Sequence, residues 1–333
     1  MMDILIVKLG ALGDVINTLP LVNILKTDLK CRISWLVEPL SYPIVSEHPH
    51  VDRAILFDKQ RWRSALPDLL RQIRDQTFDI AIDLQRILKS GMLCIAARAK
   101  RHIGFDRKRC KEMTWLFPFE RISESDPGAH MVCQYLEFAS HLGVPTDNVR
   151  WEIPVSNNHP IGLPGDYCVL NIGATKPANK WTEQGFASLA DAVQQRFSLA
   201  SILTGGKEDI GMARKIAAMA DQKVIDLVGK TSINELKEVL AGSRAVVSCD
   251  TGPLHLAVAL GRNVVALFGP SDPRRTGPFR GQVIQKPLYC SPCNLRQCRD
   301  PVCMKAITHE DVMERLQGVL QVQKQLDYPT VIG

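Results

Sequence analysis

The feature that most constrains this chain is a rhythm. Apolar runs of four to seven residues, each followed by a stretch of helical period, recur along both halves of its 333 residues. In the first half the runs are ILIVKL at 4–9, ISWLVE at 33–38, AILF at 54–57 and IAIDL at 80–84, with helical patterns at about 14–27, 61–75 and 87–98. The runs are nearly continuous in hydrophobicity instead of alternating, so both faces of each strand must be covered. That is the condition of a parallel sheet whose crossover helices lie on its two sides. From 146 to 166 the rhythm stops. PTDNVRWEIPVSNNHPIGLPG is rich in Pro, Asn and Gly and reads as an interdomain linker. It restarts with YCVLNIG, ASILTGG, KVIDLVG, AVVSCD and VVALFG, and helices are expected from about 183, 208, 232 and 253. Ser232 with Glu235 three residues later forms a capping box for the third of these.

The reading is an α/β chain of two doubly wound domains, 1–155 and 165–308. A final helical segment at 309–333 is a candidate for packing back on the first domain. Strand C-terminal ends then face a common cleft, where open α/β sheets bind their ligands.

Composition excludes several classes. No apolar stretch reaches the roughly 20 residues of a membrane helix, and the N-terminus MMDILIVKLGALGD carries an acid where an export signal is basic. The expected location is the cytoplasm. Six of the ten cysteines are scattered through apolar elements and read as reduced core thiols. The net charge of +6 is locally concentrated: RAKRHIGFDRKRCK at 98–111 holds seven Lys or Arg against one Asp. Such a patch, with Arg101, Arg107, Lys108 and Arg109, suits phosphates, an anionic lipid surface or nucleic acid; the plain alternative is a solvated loop.

Chemistry-bearing residues fall just after strands. KLGALGD at 8–14 turns on two glycines and brings Asp14 into the first turn of a helix, as a helix cap or as a group aimed at the cleft. NIGATKPANKW places Lys176 and Lys180 on a loop suited to a pyrophosphate, and LTGGKED offers Glu208 to ribose hydroxyls. In SCDTGPLHLAVALG, Pro253 opens a helix and the N–H groups of Leu254 and His255 are expected to lack intrahelical partners. With Thr251 and Gly252 they would cradle an anion, while Asp250 orients the loop. CSPCNLRQCRDPVCM sets Cys290, Cys293, Cys298 and Cys303 close enough for a structural zinc; reduced structural thiols and a redox disulfide are the alternatives.

IVKLGALGDVINTLP, GATKPANKW, VVSCDTGPLHLAVALG and VVALFGPSDPRRTGPF together resemble the heptosyltransferases of bacterial lipopolysaccharide synthesis, glycosyltransferase family 9. The resemblance spans almost the whole chain. It implies the GT-B fold and an inverting transfer of L-glycero-D-manno-heptose from ADP-heptose to a lipopolysaccharide core, a lipid A-Kdo acceptor or a related anionic glycan. By the same resemblance Asp14 is the catalytic base, and Thr175, Lys180, Glu208, Asp250, Thr251, Gly252 and His255 bind the donor. Lys180 also supports departure of the diphosphate, and Lys8, Arg61 and Arg63 match acceptor-binding positions. It further implies no required metal or cofactor, no nucleic-acid partner, and peripheral contact with the inner face of the inner membrane. The pattern departs at Thr231, where some members carry an apolar adenine contact, and in the basic 98–111 stretch. An epimerase-like nucleotide-sugar enzyme of GT-B kind and a two-lobed solute-binding protein are the alternatives.

Overall fold

The computed structural model describes residues 1–156 and 162–326, with side chains described up to 321. Residues 157–161 of the expected linker and 327–333 of the expected last segment lie outside the described residues. The chain divides into two compact units, Met1–Pro154 and Val155–Gly333.

The first unit runs β1 (Asp3–Val7), α1 (Leu12–Leu29), β2 (Arg32–Val37), α2 (Tyr42–Ser46), β3 (Arg53–Leu56), α3 (Trp62–Arg74), β4 (Phe78–Asp83), α4 (Leu88–Ala96), β5 (Ala99–Gly104), β6 (Glu120–Arg121) and α5 (Met131–His141). Its six strands form one parallel sheet in the order β3-β2-β1-β4-β5-β6. Ile4, Leu5, Ile6 and Val7 are completely buried, as a central strand covered on both faces requires. The strand order reverses between β1 and β4. At that switch point the crossovers leave on opposite faces and open a crevice at the strand C-termini. Lys8–Asp14 follows one of the two strands and Asp83–Ser90 ends or follows the other.

Three elements depart from the periodic reading. The basic 98–111 stretch is no loop: its first half is β5, whose outer residues are charged because only its inner end is covered. Its charges are also largely matched. Lys100 pairs with Asp79 at 2.8 Å, Arg101 with Glu120 at 2.6 Å and Lys108 with Glu124 at 2.5 Å. Arg109 is buried between Asp106 and Glu137, so it offers no surface charge at all. Helix α5, which packs along α1, and the short strand β6 also went unread.

The second unit runs β7 (Tyr167–Asn171), α6 (Glu183–Phe197), β8 (Ala200–Thr204), α7 (Ile210–Met219), β9 (Val224–Asp226), α8 (Ile233–Ala241), β10 (Ala245–Cys249), α9 (Gly252–Ala259), β11 (Val264–Phe268), α10 (Pro273–Thr276), β12 (Gln282–Gln285), α11 (Val302–Lys305) and α12 (His309–Leu326). It repeats the architecture, with parallel order β12-β11-β10-β7-β8-β9 and a reversal between β7 and β10. The capping box forms as spaced: the Ser232 N–H donates to Glu235 Oε2 at 2.7 Å, and the Glu235 N–H to Ser232 Oγ at 3.2 Å.

The described part of the final helix packs within this unit. Its stripe of Val312, Met313 and Leu316 joins the core beneath α6 and the β10–β12 edge. The Trp181 indole N–H donates to the Ile307 carbonyl at 2.9 Å and fixes the chain entering it. No helix among the described residues is long and apolar enough to cross a membrane.

Leu316 is completely buried. Leu316→Ala should therefore cost about 2–5 kcal/mol in urea unfolding, against less than about 0.5 kcal/mol for exposed Arg315→Ala. A Leu316→Ala loss no larger than that of the control would show that α12 is not part of the core.

Candidate functional site

In the first unit, Lys8 leaves β1 directly into the crevice and is 2% exposed. Its ammonium lies 3.1 Å from Asp14 Oδ2 and 5.2 Å from the centre of the Tyr135 ring. Burial disfavours the charge on Lys8, but Asp14 and Tyr135 outweigh it, so the amine titrates above its ordinary value. Asp14 is the group that faces outward, with its side chain 40% exposed. The N-cap position of α1 belongs to Ala11, and Asp14 stands inside the first turn.

Neighbouring strand ends hold this turn. The Leu9 and Gly10 N–H groups donate to Gln85 Oε1 at 3.2 and 3.3 Å, and the Trp35 indole N–H donates to the Lys8 carbonyl at 3.0 Å. Gln85 follows Asp83, whose Oδ1 accepts from the Gln85 N–H at 3.0 Å. Burial pushes the Asp83 carboxyl up to about 6, against opposing hydrogen bonds from Ser90, Gln85 and Arg86 and the charge of Lys8. Neither Gln85 nor Asp83 was singled out from the sequence, because their roles rest on contacts some 75 residues away. Lys8, expected to meet an acceptor, is ion-paired with Asp14. Arg61 and Arg63 stand after β3, two strands along the same sheet edge; Arg61 is 82% exposed and Arg63 lies over the Trp62 ring.

In the second unit, the loops after β7, β8, β10 and β11 meet in one polar cluster. Lys180 is ion-paired with Asp209, a carboxylate that is 1% exposed. Asp209 Oδ2 also accepts the Gly206 N–H at 3.0 Å. A Cβ at Gly173 would come within 2.7 Å of the same oxygen, so that glycine makes room for the carboxylate. Asn179 Nδ2 donates to Asp250 Oδ2 at 3.2 Å and Ser271 Oγ at 3.1 Å, tying three of the loops together. Asp209, Asn179 and Ser271 were not anticipated, since none carries a local motif.

Thr175 and Glu208 are exposed, Lys176 half-buried and His255 buried. Thr251 is the N-cap of α9 and Gly252 its first residue, beside half-buried Asp250. One expectation is corrected: the Leu254 N–H donates to the Thr251 carbonyl at 3.1 Å, because the helix opens with a tight turn. The Leu254 N–H is therefore not available to an anion.

The zinc expectation is also corrected. Among the described residues no three or more His, Cys, Asp or Glu side chains converge to hold a metal ion. Cys293 and Cys298 are exposed, Cys303 is buried, and all ten cysteines are free thiols. The loop serves as a brace. The Asn294 N–H donates to the Pro270 carbonyl at 2.7 Å, and the Ala178 N–H to the Arg296 carbonyl at 3.3 Å. A Cβ on Gly269 would lie 2.8 Å from Cys303 Sγ. Sequence spacing alone does not distinguish such a brace from a metal knuckle.

The raised Asp83 carboxyl makes a pH prediction. Between its ordinary 3.8 and about 6, the unfolded chain releases this proton while the folded chain keeps it. Stability therefore falls across that window, by about 3 kcal/mol, and is level above it. Asp83→Asn keeps an oxygen for the Gln85 N–H and should remove this slope, so urea unfolding at pH 4.5 and 7 should show the variant gaining on the wild type at pH 7. Identical slopes would contradict the burial account.

Residues 67–303 match the family described as glycosyltransferase family 9 (heptosyltransferase). The chain is 28% identical to lipopolysaccharide heptosyltransferase 1 of Pseudomonas aeruginosa, covering 98% of this chain and 100% of that protein. It is 27% identical to the lipopolysaccharide core heptosyltransferase OpsX of Haemophilus influenzae, covering 82% and 81%. The E. coli heptosyltransferase WaaC solved with ADP superposes with a TM-score of 0.78 at 25% identity, covering 96% of this chain and all of that one. With ADP-2-deoxy-2-fluoro heptose bound, the same enzyme gives 0.74 at 25% identity, covering 95% and 99%. With two parallel doubly wound sheets of GT-B type and a match over most of its length, the chain belongs to glycosyltransferase family 9, the heptosyltransferases.

Proposed function

We propose that the chain transfers L-glycero-D-manno-heptose from ADP-heptose to the inner core of lipopolysaccharide, or to a related anionic glycan, with inversion at the anomeric carbon. The activities named for its relatives support the donor and acceptor classes. The observation that carries the chemistry is the Lys8–Asp14 pair: a buried ammonium behind an outward-facing carboxylate at a strand end.

In this reading Asp14 takes the proton of the acceptor hydroxyl as its oxygen attacks the anomeric carbon, and the C–O bond to ADP breaks on the opposite face. Lys8 stands behind Asp14, buried from solvent. It holds Asp14 in place and favours its ionised form. Lys180, with the polar groups of Thr251 and Gly252, meets the negative charge growing on the departing diphosphate. Thr175, Lys176, Glu208, Asp250 and His255 complete the donor site, with Glu208 suited to ribose hydroxyls. Lys180 reaches the diphosphate by sharing its ammonium with Asp209, which sets its direction. Arg61 and Arg63 are placed for acceptor phosphates. Work on a lipid-anchored acceptor implies a cytoplasmic enzyme held at the inner face of the inner membrane. Family membership favours transfer over the epimerase and solute-binding readings.

The test is purified protein with ADP-heptose and a lipid A-Kdo acceptor, the product read by intact mass. Asp14→Asn should lower turnover by about two to four orders of magnitude with ADP affinity unchanged. Its melting point should drop by a few degrees, because Lys8 loses its counter-charge. Activity within a fewfold of wild type would remove Asp14 as the base. Lys180→Ala should lose more in turnover than in donor affinity, since the charge it faces grows as the bond breaks; equal losses in both would assign it to ground-state binding alone.

A further inference from the structure

The first unit carries an apolar surface that adjoins Arg63 and reaches well beyond the residues assigned to the transfer. A groove of about 680 Å³ runs between α3 and α4, floored by Leu66, Leu70 and Leu93 and bordered by Lys59, Arg74 and Lys89; among the described residues no acidic side chain lines it. At its mouth stand Trp62, 48% exposed, and Met92, 58% exposed. The apolar surface continues beyond α4. Phe117 packs so closely on Gly91 that a Cβ there would meet its ring at 2.3 Å, and this contact seats the 113–116 turn beside the helix. That turn exposes Met113, Trp115 and Leu116.

Cations are interleaved with these side chains. Lys89 lies over the Phe57 ring at 5.2 Å, Arg63 over Trp62 at 5.5 Å and Arg107 over Trp115 at 4.6 Å. Lys59 is matched by Glu38. Among the described residues Arg74, Lys89 and Arg107 form no ion pair, in contrast to the matched charges of β5. A contiguous apolar surface of this kind marks an interaction site.

Chemistry selects the occupant. A second copy meeting this face about a two-fold axis would set like charges against each other. A protein partner would meet an interface centre bordered by lysine, which such centres disfavour. Single-stranded nucleic acid needs ring faces, whereas Met92, Met113 and Leu116 offer only chains. Tryptophans at a boundary, aliphatic side chains beyond them and long cations flanking both suit the edge of a negatively charged bilayer.

We propose that the α3–α4 face, with the 113–116 turn, docks on an anionic phospholipid bilayer. Trp62, Met92, Trp115 and Leu116 enter the interface, an acyl chain occupies the groove, and lipid phosphates meet Arg74, Lys89 and Arg107. This deepens the membrane contact in the functional reading by assigning its face. Its test contains no sugar donor or acceptor, so the two fail separately.

The experiment is co-sedimentation of the full chain with phosphatidylcholine vesicles carrying or lacking about one-third phosphatidylglycerol. Binding should be at least tenfold stronger to the anionic vesicles and fall with salt. The double variant Lys89→Glu/Met92→Asp should lose at least tenfold, while Lys100→Ala on the matched β5 surface stays within twofold. Both Lys89 and Met92 lie outside the core, so an unchanged melting point confirms that the double variant is folded. Trp35, Trp151 and Trp181 are buried, so brominated lipid should quench chiefly the emission of Trp62 and Trp115. The proposal is overturned by equal binding to both vesicle types, by an undiminished double variant, or by no quenching. Binding only when a lipid A-type acceptor is present, or a dimer that the double variant abolishes, would equally overturn it.

Discussion

The ammonium of Lys8 is buried at the end of a central strand, and the first unit is arranged to keep it paired. An unpaired charge there would cost several kcal/mol. Asp14 is the partner, and the geometry that brings it within 3.1 Å is fixed from several sides: by Gln85 on the Leu9–Gly10 backbone and by Trp35 on the Lys8 carbonyl. Gln85 follows β4 and Trp35 belongs to β2, so both strands flanking β1 hold the turn. The pair thus converts the parallel sheet's switch point into a carboxylate of defined direction, which general-base chemistry requires.

The second unit solves a related problem differently. Here the carboxylate is the buried member, Asp209, and the half-exposed member is the cation Lys180. The outward group is positive, which the proposed contact with a diphosphate requires. Asn179 then links the loop of Lys180 to Asp250 and Ser271, so the β7, β10 and β11 ends act as one piece. The cysteine-rich segment braces the same loops from outside through Ala178 and Pro270. Both units thus pair one buried charge with a more exposed partner: in the first the buried charge follows a strand at the reversal of order, and in the second it is the exposed partner that does.

Much of this was legible in the sequence where the physics is local. Strands buried on both faces leave continuous apolar runs, and the Ser232–Glu235 cap is written in three residues, so both were readable. Residues after strands drew attention to Asp14, Lys180 and the 250–255 corner for the same reason. What escaped reading depends on distance along the chain. Asp209 and Asn179 matter through contacts 29 and 71 residues away, to Lys180 and Asp250. Strand β5 hid beneath its charges, since an incompletely covered strand can carry Lys100 and Arg101 on its outer end. Those charges in turn suggested a basic patch that the fold neutralises with Asp79 and Glu120. Cysteine spacing suggested a metal where the backbone needed a brace.

The most direct test of the Lys8–Asp14 account is the pH dependence of turnover in Lys8→Met compared with wild type. If the ammonium holds the catalytic carboxylate ionised, removing it should move the acid limb of the profile to higher pH, with ADP affinity unchanged. An acid limb at the same pH in both proteins would contradict the account and leave Lys8 a purely structural residue.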